Sequence, residues 1–198
     1  TVLKEKTEPV FPTPTIGMIG IVENKEHITT IPFKQKGDLI YMLGENRNDI
    51  SSSQYLVNIH GIEKSTVPFF SLEEEYSLQE QMKMIIRKGM VASAHDISEG
   101  GIFVALMEKA MSSGLGFDIT TDSAIRRDAY LFGESQSRII VSVDQSKEDD
   151  FIDLMMLNGV EFDLMGHVTK GSIRIDDVDW GHVEEYKELY DTAIEKAL

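Results

Sequence analysis

The chain has 198 residues, of which 41% are hydrophobic and 27% are charged, a balance typical of one folded domain with or without an appendage. Its 34 acidic and 19 basic residues give a formal net charge of −15, which disfavours nucleic acids and anionic membranes as partners. It contains no cysteine, which excludes disulfides, thiolate nucleophiles and cysteine-based metal sites.

The start of the sequence shows no export signal. Three of its first six residues are charged and the segment lacks the apolar core of a secretory signal, and no apolar run is long enough to span a bilayer. A cytoplasmic location is therefore expected. Because the sequence also begins without methionine, we expect it to be a piece of a longer protein.

Residues 1–24 are predicted to form a tail. Pro9, Pro12 and Pro14 break any helix there and favour an extended path. Residues 15–22 are a nearly continuous apolar run that contains two glycines, which predicts a strand covered on both faces.

Strands and helices alternate along the rest of the chain. The predicted strands cover residues 39–44, 90–94 and 138–143, followed by a hairpin of 162–169 and 172–175 across a Lys-Gly turn. The predicted helices cover residues 55–60, 71–88, 101–113, 146 to about 158, and 180–197. This order predicts an α+β fold, in which helices cover a mixed β-sheet.

A His-Asp-Ile-Ser-Glu-Gly-Gly motif occupies residues 95–101, where a predicted strand gives way to a helix. Free amides at a helix start attract anions such as phosphate, and glycines let a ligand approach the backbone. The Gly-Lys-Ser/Thr ending of a P-loop is absent. The alternative is a plain turn in which the aspartate or the serine caps the helix. The candidate binding residues are His95, Asp96, Ser98, Gly100 and Gly101.

A second motif, Gly-Glu-Ser-Gln-Ser-Arg at residues 133–138, precedes another predicted strand. Glu134 could accept hydrogen bonds from hydroxyls or amidines, and Arg138 could pair with phosphate. Ser135 and Gln136 could hold a polar ligand between them. The alternative is a solvated loop in front of a strand.

No catalytic and no metal-binding residue is predicted. The five histidines show neither an HExxH motif nor metal-ligand spacing, and the Gly-x-Ser-x-Gly elbow of a Ser-His-Asp triad is missing. His95 could serve in acid–base chemistry, but the favoured interpretation is a strand-end histidine that is hydrogen-bonded to the backbone. The acidic runs at 73–75, 148–150 and 176–179 lack EF-hand spacing and are interpreted as solvated faces.

Three segments, taken in order, resemble one known family. Residues 12–20, 94–101 and 131–138 are similar to the C-terminal part of phosphoribosylformylglycinamidine synthase, an amidotransferase-coupled ligase of purine biosynthesis. That family has duplicated halves, each with an ATP-binding domain and an aminoimidazole-ribonucleotide-synthetase-type C-terminal domain. The resemblance implies that residues 1–33 are the end of the second ATP-binding domain and a linker. Residues 34–198 are then the last C-terminal domain.

The resemblance also implies an activity and partners. The family converts formylglycinamide ribonucleotide, ATP and glutamine-derived ammonia to formylglycinamidine ribonucleotide, with Mg²⁺. The implied partners are the upstream ATP-binding domains, a glutaminase subunit or domain, and a ribonucleotide substrate or structural ADP in a shared pocket. The family's catalytic histidines and main Mg²⁺ ligands lie in the ATP-binding domains, so the chain alone is expected to be inactive. Apolar surface left without those domains would favour dimerisation.

The resemblance assigns site residues by motif. Glu134, Ser135 and Gln136 match the family's substrate-contacting motif, but in the duplicated half, so the pocket is expected to be either the active site or its pseudo-symmetric counterpart. Residues 51–55 read Ser-Ser-Ser-Gln-Tyr where the family typically has Gly-Gly-Ser-Glu-Tyr. Ser98 and Gln136 are expected to line one concavity, half of a pocket.

Two other functional classes stay open. One is a fold relative such as aminoimidazole ribonucleotide synthetase, selenophosphate synthetase or a hydrogenase-maturation protein, against which the motif at residues 132–138 argues. The other is a non-catalytic module that binds a nucleotide structurally or only packs against neighbouring domains.

Overall fold

The computed structural model describes residues 2–3, 6–7 and 14–197. The expected helix breakers Pro9 and Pro12 lie outside these residues. The strands are β1 Val2–Leu3, β2 Lys6–Thr7, β3 Leu39–Leu43, β4 Ser93–Asp96, β5 Gly116–Ile119, β6 Ile139–Val143, β7 Phe162–Thr169, β8 Ser172–Ile175 and β9 Val178–His182. The helices are α1 Gln54–His60, α2 Leu72–Arg87, α3 Gly101–Met111, α4 Arg127–Phe132, α5 Glu148–Leu157, α6 Val183–Asp191 and α7 Ala193–Ala197.

Strands β3 to β9 form one seven-stranded mixed sheet in the order β4-β6-β3-β7-β5-β8-β9. Neighbours run antiparallel, apart from β5 and β8, which are parallel. β1 and β2 pair with each other in a separate small sheet. The mixed sheet confirms the predicted α+β class.

Helices cover both faces of the sheet because each strand sends alternate side chains to opposite sides. On β3, Ile40 and Met42 enter the core beneath α3, whereas Tyr41 and Leu43 enter the core beneath α2 and α5. α3 is apolar almost all round, which fits its position between the sheet, α4 and α6. α2 instead buries one stripe at helical spacing, formed by Leu78, Met82 and Ile85.

Most predicted elements have counterparts, but two predicted boundaries are wrong. The strand predicted at 90–94 begins at Ser93, because the Gly89 and Met90 amides still donate to the last carbonyls of α2. His95 and Asp96 therefore lie on β4 and not beyond it. The helix predicted at 180–197 gives way to β9 at its start, and α6 begins after His182. β5 and α4 were not predicted.

The predicted hairpin of residues 162–169 and 172–175 is wrong, although both strands exist within those bounds. β5 lies between β7 and β8, so the Lys-Gly connection passes over the first residue of β5. Gly116 permits this crossing: a Cβ there would lie 2.1 Å from the Ser172 carbonyl oxygen. The hairpin that forms joins β8 to β9 across Asp176 and Asp177, both left-handed.

The strand predicted at residues 15–22 is also wrong. These residues pair with no strand in the described ranges, and their apolar side chains are exposed, Ile19 completely. A strand needs a neighbour for its amides and carbonyls, and an apolar run alone does not supply one. The chain contacts the folded unit further on, at Thr30, which bridges Ser93, at Ile31, whose carbonyl accepts from Lys109 Nζ, and at the buried Phe33.

Candidate functional site

The turn between β4 and α3 places the first motif directly against the second. Gly100 and Gly101 both adopt left-handed backbone angles, with φ of 84° and 70°. A Cβ on Gly101 would lie 2.7 Å from the Gly133 carbonyl oxygen and 2.8 Å from that of Leu131. Only a glycine lets the start of α3 approach the end of α4 this closely. The two predicted motifs therefore meet.

Arg138, a buried residue, fixes the backbone of the second motif through hydrogen bonds. Its Nε donates to the Ser135 carbonyl (2.9 Å), its Nη2 to the Gly133 carbonyl (2.8 Å) and its Nη1 to Asn46 Oδ1 (2.8 Å). The guanidinium is buried, and desolvation lowers the pKa of Arg138 to about 10, which leaves it charged at neutral pH. Its planar fork thus serves as an internal brace for the loop at residues 133–138.

Glu134 connects that loop to the starts of two helices. Its Oε1 accepts a hydrogen bond from the Gln54 amide at the start of α1 and another from the Gly100 amide before α3, each 2.8 Å long. α1 also has its own cap, because Ser53 Oγ accepts from the Leu56 amide. Three segments distant in sequence therefore meet at one carboxylate.

A cleft of about 400 Å³ opens between the two loops. Ser98 and Gln136 both line it, so the predicted shared concavity is found; its role in binding stays a prediction. Both side chains are exposed, and neither forms a hydrogen bond within the described residues. The carboxylates that line the cleft outnumber its one cation, Arg138; they belong to Glu75, Asp96, Glu99 and Glu134. The cleft is thus rich in acceptors.

Two candidate residues point elsewhere. His95 faces α3, where its Nε2 lies 2.6 Å from Glu108 Oε2, and it lines a separate cavity of about 270 Å³. Strand alternation explains this, since Asp96 follows it on β4 and faces the cleft. Ser135 is buried, and its Oγ finds no hydrogen-bond partner among the described atoms. Neither side chain can reach a ligand in the cleft without rearrangement.

Sequence reasoning missed one wall of the cleft. Glu75 comes from α2, and its Oε2 accepts a hydrogen bond from Ser137 Oγ (2.8 Å). Its acidic run was interpreted as a solvated face, and no local signal distinguishes it from one. Beyond Leu78 and Ser137 lies a larger cavity of about 490 Å³, which contains neither Ser98 nor Gln136.

Ser51 and Ser52, which stand where the resembled family typically has two glycines, both form side-chain contacts. Ser52 is left-handed, with φ of 53°, and its Oγ donates to the Thr66 carbonyl (2.9 Å). Ser51 Oγ lies 2.9 Å from Thr66 Oγ1. These contacts join the connection between α1 and α2 to the residues just before α1. The hydroxyls of Ser51 and Ser52 therefore already have hydrogen-bond partners within the protein.

Two absences hold for the residues described. No group of three or more histidine or acidic side chains is arranged to hold a metal ion. None of the helices is long and apolar enough to cross a membrane.

Comparison with known proteins matches the folded part of the chain to one family. A family model described as AIR synthase related protein, C-terminal domain, matches residues 35–177. Both site loops lie within this match. The chain is 39% identical over 169 residues to the phosphoribosylformylglycinamidine synthase subunit PurL of Caldanaerobacter subterraneus subsp. tengcongensis, covering 85% of this chain and 23% of the relative. It is 38% identical over 196 residues to PurL of Symbiobacterium thermophilum, covering 94% and 25%.

Solved structures show the same fold. Structures of T. maritima PurL complexed with FGAR and with ATP match with TM-scores of 0.69 and 0.64. Their sequence identities are 16% and 15%, so this likeness concerns the fold alone. They cover 82% and 81% of this chain, and 30% and 27% of the T. maritima chain. The chain spans about a quarter of the length of the curated relatives it matches. Because the family model covers most of the chain and both loops, the chain belongs to the family of AIR synthase related proteins, as their C-terminal domain.

Proposed function

We propose that the chain acts as the C-terminal domain of a phosphoribosylformylglycinamidine synthase. The observation that carries this proposal is the identity of 38–39% to PurL subunits over most of the chain. In the parent enzyme the domain helps convert formylglycinamide ribonucleotide, ATP and glutamine-derived ammonia to formylglycinamidine ribonucleotide in purine biosynthesis. Residues 34–198 form the domain, residues 1–33 end the preceding ATP-binding domain, and the location is cytoplasmic.

The cleft between the two loops supplies half of a nucleotide pocket in this proposal. Ser98 and Gln136 present free side chains there, so they are available to a ligand. The upstream ATP-binding domains supply the other wall. The ligand is formylglycinamide ribonucleotide if this half is the active one, and a structural ADP if it is the pseudo-symmetric one.

The charge of the cleft supports one orientation of such a ligand. Carboxylates accept hydrogen bonds, so the lining favours ligand hydroxyl and N–H groups over a bare phosphate. Arg138, the one cationic lining residue, already donates to two carbonyls and an amide oxygen. The sugar and amide part of a ribonucleotide therefore fits this wall, and its phosphate faces the wall supplied by the other domains.

Catalysis is assigned to the other parts of the enzyme. By the family resemblance, ATP and Mg²⁺ chemistry belongs to the ATP-binding domains, and ammonia comes from a glutaminase subunit or domain. The chain alone is therefore proposed to be inactive. Exposed Ile16, Met18 and Ile19 offer apolar surface to the upstream domains, and without them this surface favours dimerisation.

Calorimetric titration of the full chain with formylglycinamide ribonucleotide, and separately with ADP and Mg²⁺, tests the pocket. We expect one of the two to bind, and Gln136→Ala to weaken that binding about tenfold through loss of a hydrogen bond to the ligand. Gln81→Ala is the matched control, since it makes the same substitution at a residue that lines the larger cavity and not the cleft. Binding of neither ligand, or equal binding by Gln136→Ala, contradicts the proposed pocket.

The same titration also bears on a second candidate, a non-catalytic module that holds a nucleotide structurally or only packs against neighbouring domains. Binding of ADP but not of the ribonucleotide fits that module and the pseudo-symmetric half of a synthase alike, and binding of neither leaves a domain that only packs against its neighbours. Binding of the ribonucleotide favours a half-site of the synthase.

A further inference from the structure

The geometry points to Glu134 as a positioning residue that fixes the starts of α1 and α3, which leaves Ser98 and Gln136 to contact the ligand. Glu134 belongs to a motif that the family resemblance assigns to substrate contact. In this chain its Oε1 is already the acceptor of two backbone amides, at Gln54 and Gly100, each at 2.8 Å. A ligand donor aimed at that oxygen would compete with both amides.

α3 depends on this carboxylate because it has no cap of its own. Its N-cap is Gly100, which offers no side chain, and no side-chain hydrogen bond caps the helix locally. The alternative predicted from the sequence, a cap by Asp96 or Ser98, is therefore wrong: neither side chain bonds an amide of α3. Glu134, 34 residues away in sequence, accepts from the Gly100 amide instead. Uncapped amides at a helix start need such an acceptor.

The position of the carboxylate is itself set by Arg138. The guanidinium bonds the carbonyls of Gly133 and Ser135, the residues on either side of Glu134. Glu134 can therefore move little relative to the sheet. The amides at the starts of α1 and α3 therefore both donate to an acceptor whose place is fixed by the loop.

The Glu134–Gly100 hydrogen bond affects the relative position of the two loops that line the cleft. Ser98 lies two residues before Gly100, and Gln136 lies two residues after Glu134, so the Glu134–Gly100 hydrogen bond joins the two loops that carry them. Without it, the two loops keep the hydrogen bond from the Ile97 amide to the Arg138 carbonyl (3.0 Å), but the Gly100 amide loses its acceptor on the second loop. The residue thus acts on the ligand through Ser98 and Gln136.

Amide hydrogen exchange by NMR on the full chain tests this directly. In Glu134→Ala we expect exchange at the Gln54 and Gly100 amides to accelerate about tenfold or more, because a hydrogen bond to a charged group is lost. Glu134→Gln keeps an acceptor oxygen and is expected to retain most of the protection. Glu99→Ala removes a neighbouring carboxylate that bonds neither amide, so it should leave both unchanged. Unchanged protection in Glu134→Ala overturns the inference. The inference also fails if Glu134→Gln loses as much amide protection as Glu134→Ala does. If the alanine variant does not fold, a loss of protection in Glu134→Gln is enough to overturn it.

The ligand part of the inference rests on the proposed function and has its own measurement. For whichever of ADP with Mg²⁺ or formylglycinamide ribonucleotide binds, Glu134→Gln should bind within about threefold of the unsubstituted chain, and Glu134→Ala about tenfold more weakly. Gln136→Ala should lose affinity without changing amide protection. A Glu134→Gln variant that keeps its protection but loses affinity tenfold shows a direct charge contact and refutes the positioning role. If neither ligand binds, the proposed function fails, while the exchange result still decides the inference.

Discussion

Replacing Gly101 by alanine should break the contact between the two site loops. Gly101 is left-handed, which costs a residue with a Cβ about 1–2 kcal/mol. The new Cβ would also lie within 2.7–2.8 Å of the Gly133 and Leu131 carbonyl oxygens. Backbone atoms cannot rotate away as a side chain does, so overpacking adds about 1–3 kcal/mol. We expect Gly101→Ala to lower the free energy of unfolding by roughly 2–5 kcal/mol.

Gly89→Ala is the matched control, because it separates backbone strain from crowding. Gly89 is also left-handed, with φ of 62°, but a Cβ there meets nothing within 4 Å. It should cost only the strain, about 1–2 kcal/mol. Urea unfolding followed by the fluorescence of the single tryptophan measures both variants, provided that the denaturant dependence is unchanged. A cost for Gly101→Ala no greater than that for Gly89→Ala would refute the close contact.

Two further substitutions test buried charges. Arg138→Lys keeps the charge but cannot reproduce the planar fork that bonds Gly133 and Ser135, so thermal unfolding should show a loss of roughly 2–4 kcal/mol; an unchanged melting temperature contradicts the brace. Burial, with a contribution from Lys34, lowers the pKa of Lys109 to about 7. Between that pH and the ordinary lysine range the unfolded chain binds more protons than the folded one, so stability should rise with pH there. Lys109→Met should remove this rise, and urea unfolding at several pH values should show a flatter profile for the variant.

Local signals predicted elements well but did not predict which strands become neighbours. The bounds of β7 and β8 could be predicted from the sequence, and the short connection between them favours a hairpin. Their separation depends on Gly116, about fifty residues earlier, over which that connection passes. The failed strand at residues 15–22 has the same cause. An apolar run specifies side chains suited to burial, but the partner that would bury them is set elsewhere.

The site could be located from sequence because its signals are also local. Glycines and polar residues at element ends identified both loops, and the loops do meet. What each side chain contacts could not be predicted, since the answer depends on distant residues. His95 turns to Glu108 on α3, and Glu134 turns to the amide of Gln54 on α1. The wall formed by Glu75 gave no signal at all, because its acidic run also suits a solvated helix start.

The second motif shows why matching a motif overstates the number of ligand contacts. A loop that must present one side chain to a ligand also needs residues that hold its backbone, and these are equally specific in type. Here Arg138 must be an arginine to reach two carbonyls and an amide oxygen at once, and Glu134 must be an acceptor to reach two amides. Gln136 alone has an exposed side chain with no partner in the described chain. The contacts of Arg138 and Glu134 within the fold therefore account for their residue types, whereas the exposed amide of Gln136 is the one available to a ligand in the cleft.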